Sequence, residues 1–152
     1  MGYKLFMGID VGVGGGIAII NEISEVIEVF KTPISPKDFI LKLLEYSDEK
    51  LFCLSEKTHA MPQDGAVSAR KFGYIVGVTH TALIAAGIPY DEVIPRTWMK
   101  SFGMKRKKNE GNTSWKGRLK IKSQMLFPNV KCTLWNADAL LIAYYCKEKF
   151  KS

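Results

Sequence analysis

The 152-residue sequence predicts an α/β fold in which helices flank a mixed five-stranded sheet. Three short apolar segments at the start of the chain are separated only by turns, which predicts three antiparallel strands. Two further strand-like segments alternate with segments of helical periodicity, which predicts parallel additions to the same sheet. The hydrophobic content of 47% and charged content of 24% are ordinary for a globular protein, and we expect a single domain over residues 1–152.

The strand segments are short apolar runs bounded by glycine, asparagine or charged residues. They are predicted at residues 4–11, 17–20, 26–30, 51–54 and 90–94. A glycine-rich turn over residues 12–16 joins the first two strands, and Asn21 ends the second. The first strand closes on Asp10 and the fourth delivers Glu56, so two acids are expected at strand ends.

Helices are predicted where apolar residues recur three and four positions apart. The segments are residues 35–46, 67–86, 97–101, 113–127 and the chain from residue 136 onward. Ser35 before a proline is a typical helix start, and Gly87 is a typical residue at a helix end. Residues 103–112 have no apolar periodicity and are expected to form a mobile loop.

The net charge of +7 is concentrated in residues 96–122, which we call the basic segment. It holds ten Lys and Arg residues against the single acid Glu110, a pattern typical of nucleic-acid binding because neutralised phosphates release condensed counterions. The alternative is a solvated surface loop. Trp98, Phe102 and Trp115 lie among the charges, which favours nucleic acid, since aromatic side chains stack on bases. The candidate DNA-binding residues here are Arg96, Lys105, Arg106, Lys107, Lys108, Lys116, Arg118 and Lys120.

Three carboxylates, Asp10, Glu56 and Asp138, occupy positions from which their apolar surroundings would normally exclude them. Each has an ordinary explanation by itself. Asp10 could bond turn amides, Glu56 could pair with Lys57 or Arg70, and Asp138 could complement the dipole of its helix. Together, on strands and a helix that this topology makes neighbours, they are expected to converge on divalent cations, because Mg²⁺ prefers carboxylate oxygens.

Three short motifs carry a resemblance to a known family. They are Met7-Gly8-Ile9-Asp10 with the glycine turn after it, Ser55-Glu56-Lys57-Thr58-His59-Ala60-Met61-Pro62, and Asn136-Ala137-Asp138-Ala139-Leu140. In this order and spacing the chain is similar to the RuvC family of Holliday junction resolvases, particularly their phage-type relatives, in the ribonuclease H-like superfamily. The resemblance covers nearly the whole chain.

The resemblance implies a homodimeric endonuclease that nicks strands of like polarity across four-way DNA junctions. It implies two Mg²⁺ ions per active site, with Mn²⁺ as a substitute, held by the three carboxylates. It also implies a lysine near the site, best matched by Lys116 with Lys120 or Lys107 as alternatives, and a dimer interface on the helix at 67–86. Lys57 and His59 are expected to contact DNA, although His59 could equally be an ordinary exposed loop residue.

One position departs from the family pattern. The resemblance places a fourth acid or a histidine one helical turn before the last aspartate, where this chain has Trp135. We expect the second metal to be held more loosely there, through water or Asn136, and a contribution from Asp64 of the loop after Glu56 is the alternative.

Two other functions stay open from the sequence. The first is a catalytically inert nucleic-acid binding module, which the missing fourth ligand favours. The second is an actin-like ATP-binding fragment, which the glycine turn after Asp10 resembles. No apolar run approaches the roughly 20 residues needed to cross a bilayer, and no signal peptide is recognisable, so we expect a cytoplasmic protein, in the bacterial host if it is phage-encoded. The three cysteines are expected to be reduced core thiols.

Overall fold

A computed structural model describes residues 2–58 and 61–151. Its strands are β1 Leu5–Ile9, β2 Gly16–Asn21, β3 Val26–Lys31, β4 Leu51–Glu56 and β5 Tyr90–Val93. Its helices are α1 Pro36–Leu44, α2 Ala66–Ala85, α3 Pro95–Ser101, α4 Asn112–Leu126 and α5 Ala137–Phe150. Each predicted element is present, and the boundaries differ from the predicted ones by a few residues at most.

The strands form one sheet in the order β3-β2-β1-β4-β5. β2 pairs antiparallel with both β1 and β3, whereas β4 pairs parallel with β1 and β5 pairs parallel with β4. The predicted fold class, three antiparallel strands followed by parallel additions, is confirmed. Because β1 and β4 are parallel neighbours, their carboxyl ends meet at the same edge of the sheet.

Helices cover both faces of the sheet, so alternate strand residues enter two different cores. Phe6 and Leu54 pack with α4 and α5 on one face. Met7 and Cys53 pack with α1 and α2 on the other. This arrangement explains why the central strands are continuous apolar runs rather than alternating ones.

Helix α5 lies directly on the backbone of β1. A Cβ atom added at Gly8 would lie 2.3 Å from the carbonyl oxygen of Ala139 and 2.3 Å from the amide nitrogen of Ala143, so any side chain there would collide with the helix. Just before the same helix, the carbonyl oxygen of Trp135 lies 2.8 Å from the place that a Cβ atom at Gly16 would occupy. The two glycines thus set the distance between the sheet and the first turn of α5.

Local signals behave as predicted at several places. The hydroxyl of Ser35 caps α1 by accepting the amide N–H of Asp38 at 3.0 Å, and Gly87 follows α2 with a φ of +67°. The three cysteines are buried and unbridged. Within the described ranges no helix is long and apolar enough to span a membrane.

Candidate active site

Asp10 and Glu56 lie side by side at the carboxyl edge of the sheet. Glu56 is the last residue of β4, Asp10 directly follows β1, and the register pairs Ile9 with Ser55 immediately before them. Asp138 comes from the first turn of α5, which the close packing on β1 carries over this edge. The structure therefore brings the three predicted carboxylates to one end of the sheet.

The three acids interact electrostatically. Burial and the charge of Asp138 raise the pKa of Asp10, the charge of Lys116 partly offsets them, and the resulting pKa is about 6. Burial and the charge of Asp10 raise the pKa of Glu56 to about 8, although the Trp98 hydrogen bond acts in the opposite direction. These are the shifts expected when like charges share a site that is partly withdrawn from water. The site consequently has an excess of negative charge that a cation relieves.

Lys116 supplies one positive charge to the site. Its Nζ donates to Oδ2 of Asp138 at 2.5 Å, and the Asp138 side chain is only 4% exposed. Burial lowers the pKa of Lys116, but the charges of the surrounding carboxylates outweigh that effect and the net direction is upward. The two alternative lysines, Lys107 and Lys120, have exposed side chains. Lys116 is therefore the predicted lysine that reaches the carboxylates.

Trp98 belongs to the site, although the sequence predicted that its ring would stack on DNA bases. Its side chain is fully buried, and its indole Nε1 donates a hydrogen bond to Oε2 of Glu56 at 2.8 Å. A buried indole N–H needs an acceptor, which is the signal that points to such a partner. The ring packs in the core and its polar edge reaches the site, so Trp98 fixes one oxygen of Glu56.

Two of the three aromatic residues predicted to stack on DNA bases lie in the protein core instead. Trp98 is 0% exposed and Trp115 is 6% exposed, so neither offers a free ring face. Phe102 is partly buried and packs against Trp98 and Tyr144. The prediction of base stacking by Trp98 and Trp115 is wrong because these rings anchor α3 and α4 in the core that α5 shares.

Comparisons with known proteins bear on the fold. No protein-family model and no curated protein matches the sequence. Among solved structures, RuvC of Thermus thermophilus in complex with a Holliday junction substrate is similar, with a TM-score of 0.65 and 19% identity over 92% of this chain and 90% of that one. A second structure of Thermus thermophilus RuvC has a TM-score of 0.64 and 18% identity, over 96% and 97% of the two chains. The chain has the RuvC fold.

The donor set of this RuvC-fold site suits hard divalent cations. All three acids offer carboxylate oxygens, the ligands that Mg²⁺ prefers, and their repulsion is the condition that a dication relieves. As the side chains stand, no three His, Cys, Asp or Glu side chains of the described residues are close enough to ligate one ion. Lys116 and Trp98 each occupy one carboxylate oxygen. The chemistry of these residues thus fits a divalent metal, and ligation requires their side chains to move closer together.

The side-chain amide of Asn136, expected to be a metal ligand, forms hydrogen bonds with the backbone of its own loop. Its Oδ1 accepts the backbone N–H of Thr133 at 2.7 Å, and its Nδ2 donates to the carbonyl of Lys131 at 3.1 Å. Both ends of the amide therefore hold the loop before α5, and its role as a weaker metal ligand stays a prediction. Trp135 packs its ring on Gly16, with Lys31 Nζ 5.6 Å from the ring centroid.

The loop between β4 and α2 contains three of the other candidate residues. The Asp64 carboxylate accepts the backbone N–H of Met61 at 2.7 Å, which makes it part of a local turn and argues against its alternative role as a ligand. Lys57 is exposed directly after Glu56, and its backbone N–H donates to the carbonyl of Val93 at 2.8 Å. His59 lies outside the described residues.

The candidate phosphate-binding residues of the basic segment fall into two groups in this RuvC-fold protein. Those with exposed side chains are Arg96, Lys105, Arg106, Lys107, Lys108 and Lys120. The half-buried ones are Lys116, which contacts Asp138, and Arg118, which pairs with Glu110 at 2.9 Å. The side chains of the exposed group face solvent, whereas Arg118 pairs with an internal acid; Arg106 of the exposed group also donates to the backbone carbonyl of Glu110.

Proposed function

We propose that the chain is a divalent-metal-dependent endonuclease that cuts Holliday junctions and related branched DNA. The observation that carries this proposal is the set of three carboxylates and one lysine at the carboxyl edge of the sheet, with Asp10 and Glu56 both raised in pKa. The RuvC fold and the basic segment support a DNA substrate.

Each residue of the site has a chemical role in this proposal. Asp10, Glu56 and Asp138 would hold two Mg²⁺ ions, which supply Lewis acidity and charge neutralisation for phosphodiester hydrolysis. Lys116 directs Asp138 through its ion pair, and it adds a positive charge at the place where a scissile phosphate would lie. Trp98 orients Glu56 from within the core. The positions of these groups are set before DNA arrives, since strands and packed helices hold them.

The exposed cations of the basic segment would hold the DNA backbone next to the carboxylates. Most of them belong to the loop between α3 and α4, which precedes the helix that delivers Lys116. Phosphate contacts of this kind position a duplex without reading its sequence. Lys57, exposed directly after Glu56, would add a further contact with DNA, and we propose a DNA contact for His59 as well.

We also infer a homodimer formed through α2. Tyr74 is 60% exposed and Ile84 is 68% exposed, and Gly73 and Gly77 on the same side of the helix have open space beside their backbones. A groove of about 580 Å³ with a mainly apolar lining runs between α2 and the glycine turn after β1. A second copy would cover these apolar surfaces, and a two-fold axis would present two active sites to the two strands of a junction.

The decisive experiment is cleavage of a four-way junction, a three-way junction and a linear duplex with Mg²⁺, mapped for the symmetry of the nicks. We expect paired nicks in the four-way junction, lost in Asp10→Asn and in Glu56→Gln while junction binding is retained. Unchanged cleavage in either variant would contradict the active-site assignment.

The second candidate is an inert DNA-binding module, and Trp135 at the position of the expected fourth ligand favours it. The same experiment separates the two. A wild-type protein that binds four-way junctions tightly but leaves them intact in Mg²⁺ and in Mn²⁺ would be a binding module.

A further inference from the structure

Glu110 is the single acid of the basic segment, and its carboxylate is nearly enclosed, with 6% of the side chain exposed. Its Oε1 accepts Arg118 Nε at 2.9 Å and the Ser114 hydroxyl at 3.1 Å. Its Oε2 accepts Arg118 Nη2 at 3.1 Å and the backbone N–H of Lys107 at 2.9 Å. One carboxylate therefore joins the loop between α3 and α4 to helix α4 itself.

Arg118 and Arg106 form further hydrogen bonds with the backbone of the same loop. Arg118 Nη2 also donates to the backbone carbonyl of Lys105 at 2.7 Å, and its guanidinium lies 5.0 Å from the Trp115 ring centroid. Arg106 donates through Nε and Nη2 to the backbone carbonyl of Glu110 at 3.1 and 3.0 Å. We call Glu110 and Arg118, with the backbone groups of Lys105 and Lys107 that they bond, the clasp.

The clasp counters the repulsion between neighbouring positive charges in the loop. Residues 105–108 are four consecutive cations, and a chain of like charges repels itself and extends. Hydrogen bonds from Arg118 and from the backbone of Lys107 lower the pKa of Glu110 to about 2, so the acid is ionised at neutral pH. An ionised, bidentate arginine pair is the strongest neutralising contact that side chains provide at such a place.

The clasp also connects the loop to the active site. Arg118 lies two residues after Lys116 on α4, and Trp115 and Leu119 of the same helix are buried in the core. Lys116 contacts Asp138 from this fixed helix. The exposed ammonium groups of the loop are consequently tied to the helix that also delivers the lysine of the site.

We propose that Glu110 is a positioning residue for DNA binding, holding Lys105, Lys107 and Lys108 as a fixed phosphate-binding array in register with Lys116. The inference rests on the proposed function, because it assigns a role within DNA binding. It assigns Arg118 to the interior of the array, in place of the direct DNA contact expected from the sequence.

One substitution distinguishes the clasp from simple electrostatics, because the two predict opposite changes in the affinity for DNA. Glu110→Gln removes a negative charge from the DNA-binding face, so charge alone predicts tighter binding. The clasp predicts weaker binding, because a loosened array must be ordered again when phosphates bind. Arg118→Lys is the matched second variant: it keeps the charge but cannot bond Glu110 and the Lys105 carbonyl together.

The experiment measures affinity for a four-way junction without metal at several salt concentrations, and backbone amide hydrogen exchange of residues 104–111 without DNA. Glu22→Gln is the control, since it removes the same charge from an exposed site outside the basic segment. For Glu110→Gln and Arg118→Lys we expect faster exchange in the loop, affinity lower by about three- to tenfold, and a salt dependence shallower by about one phosphate contact. Both variants should keep the thermal midpoint of the wild type, and the control should change affinity by less than about twofold.

The outcomes separate the clasp from the proposed function. Tighter or unchanged junction binding by both variants overturns the positioning role while leaving the nuclease proposal standing. Unchanged amide exchange overturns the clasp itself, without reference to DNA. Failure of the wild-type protein to bind any branched DNA overturns the proposed function, even where exchange of the loop responds to both substitutions.

Discussion

At the scale of single residues, the direction of the Glu56 carboxylate depends on one buried indole. Trp98→Phe keeps most of the ring volume and removes the N–H that bonds Glu56. Because outer partners of metal ligands typically contribute 10- to 100-fold to affinity or activity, we expect cleavage and Mg²⁺ affinity to fall by about 10-fold or more. Metal affinity is measured directly by calorimetric titration with Mn²⁺.

The control for this prediction is Trp115→Phe. It makes the same change in another buried tryptophan that contacts none of the carboxylates. If both variants lower Mn²⁺ affinity equally, the effect comes from packing and the hydrogen bond to Glu56 has no special role.

The raised pKa values of Asp10 and Glu56 predict how the stability of the metal-free protein depends on pH. In the unfolded chain these acids have ordinary pKa values of 3.8 and 4.5, whereas in the fold the values are about 6 and about 8. The folded state thus holds protons that the unfolded state has released, so stability is lost as pH rises from about 4 to about 8.

Glu56→Gln isolates one part of this effect. In EDTA we expect the variant to match the wild type near pH 4 and to exceed its unfolding free energy by roughly 1–3 kcal/mol at pH 9, measured by urea denaturation. Gln can still accept the Trp98 hydrogen bond, so packing is kept. The prediction fails if the difference between the two proteins does not change with pH, or if exposed-site Glu22→Gln shows the same change.

At the scale of elements, the position of α5 on β1 decides where Asp138 lies. Gly8→Ala introduces a Cβ atom 2.3 Å from two backbone atoms of α5, and backbone cannot move aside as a flexible side chain does. We expect a loss of at least about 2 kcal/mol in unfolding free energy, since overpacking of a rigid core costs about 1–3 kcal/mol and here the contact is severe. Urea denaturation measures this.

Gly117→Ala is the matched control for that substitution. It lies in α4, where an added Cβ meets nothing within 4 Å, and alanine favours helix over glycine by about 1 kcal/mol. The same chemical change is therefore expected to stabilise the protein at one glycine and destabilise it at the other. Equal effects at both positions would show that α5 tolerates displacement from β1.

The elements and their order were predictable because hydrophobic periodicity and turn residues are local signals, and α1 through α5 lie close to the predicted segments. Asp10 and Glu56 were predictable as neighbours because parallel strands align their ends. The roles of Trp98 and Glu110 were not predictable. The first depends on a hydrogen bond between residues 42 positions apart, and the second on a helix and loop folding back together. The loop partners of Asn136 were not predictable either, because they depend on the conformation of that loop.

At the scale of the whole molecule, the cations proposed to bind DNA and the groove proposed to bind a second copy lie on different elements. The exposed cations of the basic segment lie mainly in the loop before α4, whereas Tyr74 and Ile84 are uncovered apolar side chains of α2. This separation allows one surface to bind a second copy while the other binds DNA. In such a dimer, one substitution can change whether the two strands are cut together without changing the affinity for a junction.

Gly77→Leu tests that separation. An added Cβ at Gly77 meets nothing within 4 Å of this chain, and leucine favours helix over glycine, so the monomer should keep its stability while a close helix-to-helix contact is blocked. We expect sedimentation to show a shift from dimer to monomer, and four-way junctions to be nicked in one strand at a time. Ser68→Leu is the control, because Ser68 is exposed on the opposite side of the same helix and its substitution should leave the dimer intact. A Gly77→Leu protein that stays dimeric would place the interface elsewhere, and a monomer that still makes simultaneous paired nicks would separate symmetric cutting from dimerisation.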